Sequence, residues 1–344
     1  MEITLISFAR TCLNGVRLLV DRFGRPLTNL RVSVTAKCNY NCVFCHREGE
    51  DLTPDFLSVD DIEIVSQAAY SQGINSFKLT GGEPLLRQDI AEIVSRIKNL
   101  GRDVEVSMTS NGYFLSEYAG RLTEAGLDRI NVSLHAIDQQ KYLSVTAAKG
   151  LGKVLKGLAA AKDYGLPVKL NFVLTSVNYG ELPKVLDYAS RMEFNLNLIE
   201  LIPMGLGREY FDKLYFPVEK VLPILAERAE KVEHRDLHNR PVFFLSNGTR
   251  VEVIANYCNP SFCLKCTRIR LTHDGKLKPC LNRNDNLVDI KGILRNAAAS
   301  RETKLELLSQ AIREVNSRRE PFFKLVEGKC ATVDGKIIGT PRYL

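Results

Sequence analysis

Apolar residues gather in short blocks along the first two thirds of the chain. Between the blocks they return every three or four positions. The blocks predict strands at 31–35, 76–80, 104–109, 129–134, 168–174 and 195–201, each short, apolar and bounded by turn residues. The stretch 58–72 reads as a helix, with Ser58 as N-cap and Asp60 and Asp61 in the first turn, where negative charge is favoured. Gly73, Gly101, Gly126 and Gly165 each close a helical run, as a residue just past a C-cap does. Alternating strands and helices specify an α/β fold with a parallel sheet and right-handed crossovers. Six strands fall short of the eight that close a βα barrel, so the expected architecture is an incomplete, partly open (β/α)6 barrel.

After about residue 203 the rhythm breaks. Gly205 and Gly207 mark a loop, and 218–232 reads as a helix. Segments 241–245 and 250–254 form the arms of a hairpin around Asn247-Gly248, a strong turn signal. A further helix is expected at 304–315. The chain thus divides into an N-terminal extension (1–30), a partial barrel (31–205) and a C-terminal region (206–344).

Composition narrows the function. The 344 residues are 45% apolar and 25% charged, ordinary for a globular protein. No apolar run approaches the ~18 residues of a membrane span, which excludes integral membrane classes, and the opening Met-Glu-Ile-Thr is unlike a secretion signal. A cytoplasmic protein is expected. The excess of 47 basic over 40 acidic residues gives +7, which suits an anionic small molecule better than specific nucleic-acid binding. Nine cysteines, an odd number, argue against a disulfide framework, and six of them fall in two clusters, which points to metal.

The first cluster is Cys38, Cys42 and Cys45, directly after the first strand. Three thiolates on one loop can ligate three irons of a 4Fe–4S cube and leave the fourth open. A structural zinc site needs a fourth ligand, and the nearest candidate, His46, is adjacent to Cys45 and poorly placed for one tetrahedral ion. This motif resembles that of the radical S-adenosylmethionine (SAM) superfamily. Gly81-Gly82-Glu83-Pro84, after the second strand, resembles the same superfamily's GGEP motif; Thr109-Ser110-Asn111-Gly112 and Ser133 end the third and fourth strands. The resemblance implies reductive cleavage of SAM to methionine and a 5′-deoxyadenosyl radical. Glu83 would receive the SAM ammonium, while Phe44, Gly82 and Ser133 would also contact SAM.

The second cluster is Cys263, Cys266 and Cys280, in a window (250–283) with seven basic residues and two acids. Arginines in such a run suit phosphate oxygens. The segment Cys263-Leu-Lys-Cys266-Thr-Arg268-Ile-Arg270-Leu, continued to Gly275-Lys276 and Cys280, resembles the GTP 3′,8-cyclase family of molybdenum-cofactor biosynthesis, as does the stretch from Asp21 to Thr35. The resemblance covers about residues 21–322. It implies a second 4Fe–4S cluster on these three cysteines, with GTP contacted by Arg31, Lys78, Thr109, Lys169, Arg268 and Arg270, the last two also catalytic. Lys78 stands where bacterial members usually carry arginine, and Ile202 where members often carry a SAM-contacting methionine. The end, Arg342-Tyr343-Leu344, differs from the Gly-Gly of bacterial members, and Cys258 adds a fourth cysteine near the second cluster.

The expected reaction is conversion of GTP to 3′,8-cyclo-7,8-dihydroguanosine 5′-triphosphate, with two 4Fe–4S clusters and SAM as cofactors. The implied partners are a low-potential donor of ferredoxin or flavodoxin type and a downstream pyranopterin monophosphate synthase. A homodimer is left open. One alternative is a radical SAM enzyme acting on a peptide, which often carries a larger C-terminal cysteine set. Another is an iron–sulfur carrier or zinc scaffold, which would need no GGEP loop.

Overall fold

The structure, a computed structural model, describes residues 12–13 and 16–342. Its centre is one twelve-stranded sheet. In chain order the strands are β1 (Asn29–Ser33), β2 (Ser76–Thr80), β3 (Glu105–Ser110), β4 (Arg129–Ser133), β5 (Val168–Leu174), β6 (Asn195–Glu200), β7 (Ala229–Arg235), β8 (Arg240–Leu245), β9 (Arg250–Ile254), β10 (Arg268–Leu271), β11 (Lys276–Lys278) and β12 (Val288–Asp289). The order across the sheet is β12-β11-β10-β1-β2-β3-β4-β5-β6-β9-β8-β7. Every pairing from β10 across to β9 is parallel. The six expected βα strands are therefore present, and the C-terminal region adds one further parallel strand at each edge. β12 and β7 end the sheet without pairing to each other, so the barrel stays open.

Helices α1 (Val59–Ser71), α2 (Ile90–Lys98), α3 (Leu115–Glu124), α4 (Gln139–Thr146), α5 (Leu151–Asp163) and α6 (Leu182–Met192) lie in the crossovers. Ser58 caps α1 reciprocally. Its hydroxyl accepts from the Asp61 N–H at 3.2 Å, and the Asp61 carboxylate accepts from the Ser58 N–H at 2.9 Å. Gly73, Gly126 and Gly165 have φ of 87°, 85° and 68°, the left-handed conformation that ends a helix cheaply only at glycine. Gly101 closes its helix without a positive φ.

The strands are apolar on one face only. Leu30 and Val32, Phe77 and Leu79, Val106 and Met108, Ile130 and Val132, Leu196 and Leu198 are fully buried in the main core. Arg31, Lys78, Ser107, Thr109, Asn131, Ser133, Lys169, Asn171 and Asn197 alternate with them and line a cavity. The interior is thus a polar chamber, unlike the packed apolar core of a closed βα barrel.

Three expectations change. The first strand is 29–33 rather than 31–35, because Thr35 leaves the ladder: its hydroxyl bonds Asp55 (2.5 Å) and its carbonyl accepts from Gly82 (2.7 Å). Residues 218–232 are not one helix. A 3-10 turn (Val218–Lys220) and a short helix (Leu222–Ala226) lead into β7, which pairs antiparallel with β8. The charges of β7 that read as a helix surface cover an exposed edge strand, where they discourage further pairing. The expected hairpin forms as β8 and β9, but β9 also pairs in parallel with β6. The 304–315 helix spans Arg301–Ser317.

Candidate functional site

The first three cysteines occupy the loop leaving β1. This loop packs under the glycines that follow β2: Gly82 N–H donates to the Thr35 carbonyl (2.7 Å) and Glu83 N–H to the Lys37 carbonyl (2.8 Å). A Cβ on Gly81 would lie 2.3 Å from the Thr35 oxygen, and one on Gly82 only 2.0 Å from the Lys37 oxygen. The glycines therefore seat the cysteine loop. Cys45 N–H donates to the Cys42 carbonyl (3.0 Å), and the Cys45 carbonyl accepts from Leu206 N–H (3.0 Å). Phe44 stands edge-on to His135, with centroids 4.7 Å apart.

Glu83 is buried at the end of β2. Its carboxylate accepts from Asn111 N–H (2.6 Å), Ser110 Oγ (2.7 Å) and Leu85 N–H (3.0 Å). Burial raises its pKa to about 7 even so, with those hydrogen bonds opposing the shift.

The second cysteine loop is held by the N-terminal extension and the chain near residue 319. Arg25 donates to the Cys263 carbonyl at 2.9 Å, and Arg319 donates to the Cys266 carbonyl. Asp21 lies between the two arginines, 2.7 Å from Arg25 and 3.6 Å from Arg319, in a fully buried triad. The segment before residue 30 is thus part of the site's support.

Among the described residues the nearest further ligand candidates are His46 beside the first triad and the Cys258–Cys330 pair, which packs against Cys263 of the second. His46 Nδ1 accepts from Glu48 N–H at 3.0 Å. Cys258 faces the Thr340 carbonyl at 3.4 Å and the Cys330 thiol, in a small apolar cluster with Phe323. Among the described residues no three Cys, His, Asp or Glu side chains close on a single ion. Burial pushes the Cys38, Cys42 and Cys45 thiols up; it also raises Cys280, and takes Cys263 to about 12. These thiols stay protonated until metal displaces the protons. Three thiols per loop suit a cube with one open iron, and Cys258 is turned to Cys330 and Thr340.

Both triads line one cavity of about 450 Å³. So do Phe44, Gly82, Glu83, Ser133, Arg31, Lys78, Thr109, Lys169, Arg268 and Arg270. The cavity thus gathers the expected cluster, SAM and GTP residues, while Cys258, Pro84 and Gly112 lie outside its lining. Lys78 and Arg268, like Arg47, sit in it without a side-chain hydrogen bond or ion pair among the described residues. Burial, then Arg31, Arg129, Arg268 and Lys169, pushes the Lys78 pKa well below its ordinary value. Arg268 is likewise depressed, by burial, then Arg240 and Arg31, and its Nε has no partner. Unpaired buried cations are costly, and an anionic ligand removes that cost.

Other cavity residues escaped notice in the sequence. Glu48 pairs with Arg31 (3.2 Å) and Arg270. Glu252 gathers Lys169, Arg240 (2.6 Å) and Arg235 (3.3 Å). Asn131, Asn171 and Asn197 form an amide row in which Asn171 Oδ1 accepts from Asn197 (2.7 Å) and Asn131 (3.4 Å). The Oδ1 atoms of Asn131 and Asn197 are buried without donors. Their period-two placement between apolar residues was the signal. Ile202 lies on the cavity wall, and Met204 is beside Gly49.

Comparison with known proteins agrees with this arrangement. The Radical SAM superfamily pattern matches residues 32–189, and Molybdenum Cofactor Synthesis C matches 194–325. A probable GTP 3′,8-cyclase of Sulfurisphaera tokodaii is 47% identical over 311 residues, covering 89% of this chain and 97% of the relative. Those of Metallosphaera sedula and Saccharolobus solfataricus are each 45% identical, covering 89% of this chain and 97% and 99% of theirs. Among solved structures, Streptococcus suis SuiB bound to S-adenosylmethionine superposes with a TM-score of 0.60 at 15% identity, over 83% of this chain and 68% of that one. Methylornithine synthase gives 0.53 at 15%, over 83% and 86%. The structural likenesses establish the fold; the sequence relatives establish that the chain belongs to the radical SAM superfamily and, within it, to the GTP 3′,8-cyclase family.

Proposed function

We infer that the protein is a radical SAM GTP 3′,8-cyclase, making 3′,8-cyclo-7,8-dihydroguanosine 5′-triphosphate in the first step of molybdenum-cofactor biosynthesis. One observation carries the site assignment: two thiol triads and the unpaired cations Lys78 and Arg268 share one cavity. Cys38, Cys42 and Cys45 would hold one 4Fe–4S cluster, and Cys263, Cys266 and Cys280 the other. When bound, SAM and the first cluster would supply a 5′-deoxyadenosyl radical, the agent able to take hydrogen from the ribose 3′ carbon that becomes joined to guanine carbon 8.

The chain's own residues bind and orient. Glu83 pairs with the SAM ammonium, with Phe44, Gly82 and Ser133 around it. Lys78, Arg31, Arg268 and Arg270 take phosphate and base oxygens, and Thr109 and Lys169 complete the GTP contacts. Cys38 is exposed, so an outside donor of ferredoxin or flavodoxin type can approach the first cluster. A pyranopterin monophosphate synthase would consume the product. No helix among the described residues is long and apolar enough to cross a membrane, and a cytoplasmic site suits a protein that needs such a donor. Anaerobic incubation with SAM and reductant tests the reading: GTP should be consumed, whereas consumption of a peptide mixture with GTP intact would favour the peptide enzyme.

Glu83 gives this site a pH signature. Its carboxyl titrates at about 7, so it is neutral below that pH and anionic above it. Only the anion pairs with an ammonium. SAM affinity should therefore rise as pH increases through about 7 and level off above, and Glu83→Gln should flatten the profile. Equilibrium dialysis of SAM against the holoenzyme measures this, and a flat wild-type profile would remove Glu83 from the SAM site.

Cys258→Ser should retain both clusters' iron and most GTP turnover, because Cys258 faces Cys330 and Thr340. Loss of about four irons, one cube's worth, would make Cys258 a ligand.

A further inference from the structure

The segment from His46 to Glu50 leads from the first cysteine triad to the substrate cations, and its backbone is unusual. Arg47, Glu48 and Gly49 have φ of 48°, 50° and 64°. Two successive non-glycine residues in the left-handed region are unfavourable and persist only where other contacts hold them. Here the holding contacts are polar. Glu48 carboxylate accepts from Arg31 (3.2 Å), Thr80 Oγ1 (2.9 Å) and Arg270. Lys278 donates to the Gly49 carbonyl, and Glu50 meets His273 Nδ1 at 2.7 Å.

Among the described residues, Glu48 therefore supplies the only carboxylate on two of the cations assigned to GTP, while Lys78 and Arg268 beside them have none. A triphosphate oxygen reaching Arg31 or Arg270 would meet the Glu48 carboxylate at van der Waals range in a buried site, where like charges repel strongly. The two anions cannot share one seat. The phosphate also brings more charge, and the unpaired Arg31 Nε shows that a single carboxylate leaves that fork unfilled.

We propose that Glu48 is a placeholder for a substrate phosphate: it occupies Arg31 and Arg270 in the free enzyme, and the entering triphosphate displaces it, moving the segment that leads out of Cys45. This rests on the assignment of Arg31 and Arg270 to the GTP site. It makes substrate binding a mechanical event at the first cysteine loop. Glu48 acts here as a positioning residue, releasing two arginines to the ligand and its own strained backbone to a different conformation.

The test uses the reconstituted holoenzyme, anaerobically, with GTP alone so that nothing turns over. Glu48→Gln keeps the shape and the Thr80 hydrogen bond but loses the charge. Equilibrium dialysis should show GTP binding about tenfold tighter, the scale of one charge-assisted hydrogen bond. In the wild type, hydrogen exchange at the amides of Glu48, Gly49 and Glu50, which now donate to His46 Nδ1, His46 O and Arg47 O, should quicken when GTP saturates the site. The exchange measurement needs no variant, so it stands if the Gln protein misfolds. GTP binding unchanged or weakened in a folded Glu48→Gln protein would overturn the proposal, as would wild-type exchange that GTP leaves unchanged or slows. Lys78→Ala separates the two levels. If it binds GTP normally, the site assignment fails and the placeholder with it; if it loses GTP while Glu48→Gln gains nothing, only the placeholder fails.

Discussion

Cys38→Ala should abolish SAM cleavage and remove about four irons, one cube, while the second cluster remains. The expectation follows from how the two loops are supported. Cys38 stands at the exposed end of its loop, with Tyr40 N–H pointing at its sulfur (3.4 Å), and no spare thiol or imidazole can replace it: His46 is turned to Glu48 N–H and Cys258 to Cys330. A two-thiolate loop cannot retain the cube against solvent. The second loop is anchored independently by Arg25, Arg319 and Asp21, so it should assemble unchanged. The readouts are iron content and 5′-deoxyadenosine formed under reductant. Deoxyadenosine production by this variant at the wild-type rate would remove the radical SAM assignment of the triad.

The second large effect is at Arg268 and Arg270, which are two apart on β10 and so share its cavity face while Ile269 packs into the core. A charge-assisted contact contributes roughly 1.5–3 kcal/mol, so either Arg→Ala change should lower GTP cyclisation by roughly one to two orders of magnitude. Arg268 should cost more. Among the described residues its side chain has no hydrogen-bonding partner, its buried Nε included, whereas Arg270 is engaged by Glu48. Both clusters should assemble, and SAM cleavage without GTP should persist. Unchanged GTP affinity and turnover in the double variant would show that these arginines only balance charge in the cavity wall.

Local signals made most of the scaffold legible. Ser58 with Asp61, glycines at helix ends and short apolar blocks between turns each act over a few residues, and most lie where the pattern placed them, the first strand shifting to 29–33. The cysteine spacings and the GGEP loop pointed to residues that the structure gathers on one cavity, Pro84 excepted. What escaped depends on partners far along the chain. The charged run at 229–235 is a strand only because β8 lies beside it. β10 joins β1 in parallel across more than two hundred residues of chain, which no local rule shows. Asn131, Asn171 and Asn197 become a row only when β4, β5 and β6 align. Glu48 drew no notice in the sequence, because its pairing depends on Arg31 and Arg270 arriving from two strands.

The most direct test of the central claim is a single anaerobic turnover of the reconstituted enzyme with SAM, reductant and GTP deuterated at the ribose 3′ carbon. If the cavity holds GTP between the two cysteine triads as assigned, deuterium appears in 5′-deoxyadenosine, one atom for each GTP cyclised. Deoxyadenosine that forms without deuterium while the GTP is recovered intact would contradict the account.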